Sequence, residues 1–133
     1  MRGYARTAVM VLLLLPAIFV AGCGETANTP GDVIREHVKL LNQRDFDEFY
    51  DLHAPGTLPS SKEAYVQEID RLFPEGSEIT DVRIIGENVE GDRATVTWSS
   101  LQKIIGREEK TVEVTTSLVR ENDRWKIGEN TTP

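Results

Sequence analysis

The chain has 133 residues, 39% hydrophobic and 28% charged, with a formal charge of −7; that is the length and composition of one globular domain and excludes a globally disordered chain. Arg2 and Arg6 precede the single cysteine, Cys23, and all 22 acidic residues follow it, so the part beyond Cys23 repels phosphate and anionic headgroups and nucleic acid is a poor partner. One cysteine excludes an internal disulfide and a thiolate-rich metal site, and two histidines without a helical HxxxH pair give zinc no ligand set; no metal or cofactor is implied.

In chain order, Arg2 and Arg6 form a short positive region, followed by an apolar run from Ala8 to Ala21 centred on Leu12-Leu13-Leu14-Leu15. At about 14 residues the run has signal-peptide length and falls short of the roughly 17 to 25 needed to span a bilayer. It ends on Val20-Ala21-Gly22-Cys23. An aliphatic residue, two small ones and a cysteine resemble the lipobox of bacterial lipoproteins. That resemblance implies a diacylglycerol on the Cys23 thiol, cleavage before Cys23, and a lipid anchor on the extracytoplasmic side, at the cell surface or facing the periplasm. Two acyl chains suffice for stable anchoring. The segment from Gly24 to Thr29 is small, polar and without periodicity, as linkers are. Residues 1–22 are thus expected to be a signal peptide, 23–29 the lipidated cysteine and linker, 30–128 a folded domain and 129–133 a tail.

Thr29-Pro30-Gly31-Asp32 reads as a helix start, with Thr29 as N-cap and Pro30 at the first helical position. Ile34, His37, Val38 and Leu41 follow at i, i+3, i+4, i+7 spacing, so one face is buried. Asp45 is placed to cap a short second helix with Phe46, Phe49, Tyr50 and Leu52 as its apolar positions. A third helix is expected from Ser60, with Glu63 completing a capping box, burying Ala64, Tyr65, Ile69, Leu72 and Phe73.

Beyond Gly76 the period changes to two. Ile79 to Val89 reads as a strand, with a turn at Glu90-Gly91-Asp92. Ala94, Val96 and Trp98 then point one way, and Arg93, Thr95, Thr97 and Ser99 the other. Parity slips at Leu101 and returns with Val112, Val114, Thr116 and Leu118. A tight turn at Gly106-Arg107 that pairs Leu101 with Val112, plus a β-bulge at Ser99-Ser100, would set Trp98 opposite Val114 and Ala94 opposite Leu118. A second hairpin turning at Asn122-Asp123 sets Ile127 opposite Leu118 and Trp125 opposite Arg120. The expected architecture is α+β, with three N-terminal helices packed on a curved four-stranded antiparallel sheet.

The helix order, the Asp45-Phe46 pair, the Gly91-to-Val96 strand opening and the closing Trp125-Lys126-Ile127 together resemble small secreted lipoproteins of the nuclear-transport-factor-two-like superfamily, over roughly residues 30–127. The resemblance implies a cystatin-like cone with a pocket between sheet and helices. Carried over by position, its lining would draw on Val96, Trp98, Val114, Thr116, Leu118 and Trp125 from the sheet, with Phe49, Tyr50 and Tyr65 from the helices. Enzymes of the superfamily need a carboxylate base and a hydrogen-bonding acid deep in that pocket, and the inward parity here carries no Asp or Glu.

Among titratable residues, His37 lies inside the buried stripe and is either a pocket acid/base or a core histidine bonded to a nearby carbonyl or Tyr. Tyr50 and His53 sit one turn apart at a helix end, where solvent-facing packing competes with a shared proton-transfer role. Trp98 and Trp125 would either stack on a ligand or fill the core. The expected function is that of a membrane-anchored, non-catalytic binding module for a small apolar ligand or an envelope protein. The alternatives are a pocket enzyme of the isomerase, dehydratase or cyclase type using His37 or Tyr50, and a module that dimerises through the Thr-rich outer sheet face.

Overall fold

The computed structural model describes residues 29–58 and 61–131, without the side chains of 129–131; the signal-peptide, lipobox, Cys23 and linker readings all lie outside them. The order is α1 (Pro30–Asn42), α2 (Phe46–Asp51), α3 (Lys62–Leu72), then β1 (Glu78–Glu90), β2 (Arg93–Lys103), β3 (Lys110–Glu121) and β4 (Arg124–Thr131). The strands form one antiparallel sheet in the order β1-β2-β3-β4. This is the α+β arrangement expected from the sequence.

The helix starts follow their caps. Thr29 Oγ1 accepts from Asp32 N–H at 3.1 Å and Asp45 Oδ1 accepts from Glu48 N–H at 3.3 Å, each satisfying an otherwise orphaned amide. At α3 the cap is Ser61, whose hydroxyl accepts from Ala64 N–H at 3.3 Å; Ser60 lies outside the described residues. The whole expected α1 stripe is buried. α3 differs from expectation. Phe73, just past its end, is buried, but Tyr65 and Ile69 are half-buried and Ala64 and Leu72 are exposed. The reason is position: α1 lies across the sheet, while α3 packs mainly on α2 and shields little of it.

The two hairpin registers come out as read at their key pairs, with Trp98 opposite Val114, Ala94 opposite Leu118, Leu118 opposite Ile127 and Arg120 opposite Trp125. Asn122 and Asp123 both take positive φ (50° and 62°), as a two-residue primed turn requires. The expected bulge at Ser99-Ser100 is absent. The β2–β3 ladder runs unbroken from Arg93–Val119 to Gln102–Lys110, so Leu101 faces Thr111 and Ser100 takes the inner place opposite Val112. The six residues between Lys103 and Lys110 absorb the parity slip, with the turn closed by Arg107 N–H on the Ile104 carbonyl. Irregularities fall instead in β1, at Thr80/Arg83 and Ile84/Gly86, and between Thr116 and Leu118 against β4.

Two contacts hold α1 to β1. Asn42 grips the backbone of Ile79 from both sides, Nδ2 donating to its carbonyl and Oδ1 accepting from its N–H, each at 2.8 Å. At the other end Gly31 N–H donates to the Glu87 carboxylate, an acid well placed at the positive end of a helix. A side chain at position 31 would begin 2.9 Å from that carboxylate oxygen, so a larger residue there would push the flexible Glu87 side chain off the helix start. Replacing Asn42 with Ala is expected to cost about 1–3 kcal/mol, read by urea unfolding; an unchanged midpoint would show that water replaces the amide without loss.

Candidate functional site

The inner face of the sheet and the buried side of α1 and α2 meet in one cluster that contains most of the expected lining. Val96, Trp98, Thr116 and Leu118 are between 0 and 4% exposed, and Phe49 and Trp125 are also buried. The space the cone encloses at this level is therefore occupied by the protein's own side chains. Val114, Tyr50 and Tyr65 are half-buried at its margin. Trp98 Nε1 donates to Thr116 Oγ1 at 3.0 Å, which satisfies a buried indole N–H between two strands. Arg120 lies over the Trp125 ring at 5.3 Å and closes that end.

An aromatic group fills the helix side. The His37 ring stacks on Phe49 at 4.6 Å and meets Trp98 edge-on at 6.3 Å. His53 stands 6.0 Å from His37 and 6.0 Å from Tyr65, and Tyr65 is stacked parallel to Phe49 at 6.3 Å. His37 is buried, and its Nδ1 has no hydrogen-bond partner. Burial, reinforced by the neighbouring His53, pushes the His37 imidazole down to about 3, so it is neutral at ordinary pH. The carbonyl contact considered for His37 belongs to His53, whose Nδ1 lies 2.9 Å from the Phe49 carbonyl. His53 is buried rather than solvent-facing, and burial lowers its pKa, partly offset by its backbone hydrogen bonds.

His53 owes its place to the chain path. After α2 the backbone runs beside β4, with Ile127 N–H donating to the Leu52 carbonyl at 2.9 Å and Ala54 N–H to the Ile127 carbonyl at 2.8 Å. This short bridge fixes His53 between the helices and β4. Its i+4 spacing from Phe49 and the Ala54-Pro55-Gly56 turn behind it were the signals available in the sequence; the pairing with Ile127 was not. No Asp or Glu is among the buried described residues, and among the described residues no three His, Cys, Asp or Glu side chains gather as metal ligands.

Neither a protein-family model nor a curated protein matches the chain. Solved structures do. A SEC-C motif containing protein from Rhodopseudomonas palustris superposes with a TM-score of 0.66 at 17% identity, covering 81% of each chain. An NTF2-like protein of unknown function from Shewanella oneidensis gives 0.57 at 16% identity, over 77% of this chain and 97% of that one. An NTF2-like protein with a cystatin-like fold from Novosphingobium aromaticivorans gives 0.53 at 16% identity, over 74% and 75%. At such identities the likeness is one of fold: helices followed by a curved four-stranded antiparallel sheet of the NTF2-like, cystatin-like kind.

Proposed function

We propose that the chain is a lipid-anchored, non-catalytic binding module of the bacterial envelope, held on the extracytoplasmic side of the membrane through Cys23. The carrying observation is the closed interior. Where a pocket enzyme would keep a carboxylate base facing an acid, this chain packs Val96, Trp98, Thr116 and Leu118 against His37 and Phe49, and the histidine is neutral. An isomerase or dehydratase role for His37 would need substrate to reach a buried ring stacked on Phe49 and met edge-on by Trp98, and a role for Tyr50 would need a deep acid–base partner that no buried carboxylate among the described residues supplies. With the interior closed, recognition falls on the exterior, which favours an envelope protein over an apolar molecule held in the cone.

The sequence of signals from Arg2 through the apolar run to Val20-Ala21-Gly22-Cys23 supports the anchor. From Cys23 the segment to Thr29 reaches at most about 20 Å when extended, which keeps the domain, and any partner, close to the bilayer. Cys23→Ala is expected to move the protein from the membrane fraction to the soluble fraction with its circular dichroism unchanged. An unaltered distribution would overturn the anchor.

A further inference from the structure

Beside the C-terminal end of α2, a recess of about 380 Å³ opens between the Ala54–Thr57 turn and β4, with Tyr50, Asp51, His53, Gly56, Leu58 and Lys126 among its walls. That volume suits a small organic ligand. Three of these residues bring polar groups that the protein leaves unmatched.

The first is His53. A carbonyl oxygen can only accept, so the 2.9 Å contact with Phe49 O means that Nδ1 carries the proton and donates. The lone pair is then on Nε2. That atom has no hydrogen-bond partner among the described residues, yet it is not sealed away as His37 Nδ1 is. His53 is among the residues lining the recess, and Nε2 is its ring nitrogen without a partner among the described residues. Burial keeps the ring neutral and hence an acceptor.

The second is Lys126. Its ammonium donates to the Asp51 carbonyl at 3.1 Å, a neutral partner, and no carboxylate among the described residues pairs with it. The Asp51 carboxylate is taken by Lys62, 3.1 Å away. Lys126 therefore brings to the recess wall an ammonium that no carboxylate among the described residues holds in an ion pair. The third is Gly56. Thr57 N–H closes the turn on the Ala54 carbonyl at 3.1 Å, and Pro55 followed by Gly56 at φ 80° makes it type II. The Gly56 N–H makes no hydrogen bond among the described residues.

We propose that this recess binds a small carboxylate bearing a hydroxyl on the adjacent carbon, with the carboxylate on Lys126 and the Gly56 N–H and the hydroxyl donating to His53 Nε2. A cation and an amide donor select an anion, and charge-assisted hydrogen bonds of this kind are the strong ones. The imidazole lone pair selects a ligand with its own donor. A hydroxyl fits better than an ammonium, which Lys126 would repel. The site uses no residue of the Cys23 anchor, so it stands or falls independently of lipidation.

Sodium L-lactate is the probe, titrated into the ¹⁵N-labelled protein and followed by NMR. Saturable shifts are expected at the Gly56 and Lys126 amides, together with a change in the His53 Nε2 resonance. Propionate, which lacks the hydroxyl, should bind about tenfold more weakly, and Lys126→Met should weaken lactate binding by about tenfold or more. Lys126 is a surface side chain, so that variant tests binding without disturbing the core. His53→Leu adds a third arm. Should it fail to fold, the lactate–propionate comparison on the unaltered protein carries the His53 test. Shifts that never saturate, equal binding of the two acids, or a Lys126→Met variant that binds lactate unchanged would each overturn the proposal.

Discussion

Replacing Trp98 with Ala is expected to destabilise the fold by about 3–5 kcal/mol, the range for removing a large aromatic from a core that cannot collapse around the gap. The ring is only 4% exposed, meets His37 edge-on, and ties β2 to β3 through its hydrogen bond to Thr116. Those roles separate in a second variant. Trp98→Phe keeps most of the apolar bulk and loses the N–H donor, so it should cost about 1–2 kcal/mol. Urea unfolding of both variants checks the pair. A loss under about 1 kcal/mol for Trp98→Ala would mean that the ring fills a ligand space rather than the core, and would remove the closed interior on which the non-catalytic reading rests.

The second large effect is acid lability centred on His37. The folded protein holds this imidazole neutral down to about pH 3, whereas the unfolded chain protonates it near its ordinary 6.5. Below pH 6.5 the unfolded state therefore binds a proton that the folded state refuses, and stability falls with pH until the folded-state value near 3 is reached. His53, also lowered by burial, acts in the same direction. For His37 alone the loss at pH 5 is about 2 kcal/mol. His37→Leu removes the ring and its unpaired Nδ1 together, so the variant should match or exceed the parent at pH 7.5 and should lose much less stability at pH 4.5. Unfolding midpoints across that range are the measurement. Equal slopes for parent and variant would sink the assignment, since the difference between them isolates one residue from every carboxylate.

What the sequence revealed and concealed follows from which interactions are local. Caps at Thr29 and Asp45, the α1 stripe and the positive-φ pair Asn122-Asp123 act within a few residues, so side-chain type alone located them. The registers of both hairpins were legible because a strand's inward set is fixed by parity. The bulge at Ser99-Ser100 was misplaced for the same reason: Leu101 was assumed to face inward, when a small buried Ser100 takes that place and Leu101 is half-buried on the other side. The orientation of α3 could not be read, because its stripe packs on another helix and the sequence does not say which. Most of the expected lining residues do come together, yet the recess with unmatched polar groups is elsewhere. Its His53 is set by a backbone bridge to Ile127, 74 positions along the chain, and a link of that span leaves no periodic trace.

The bridge at Ile127 and the grip of Asn42 on Ile79 fall on opposite outer strands, one at each flank. On β4 a stretch of main chain just past α2 occupies both the N–H and the carbonyl of Ile127; on β1 a single amide side chain does the same for Ile79. Irregular pairing at two places in β1 breaks the repeat that a docking strand would have to match. A strand docking on either flank would thus lose its backbone partners at Ile79 on one side and at Ile127 on the other.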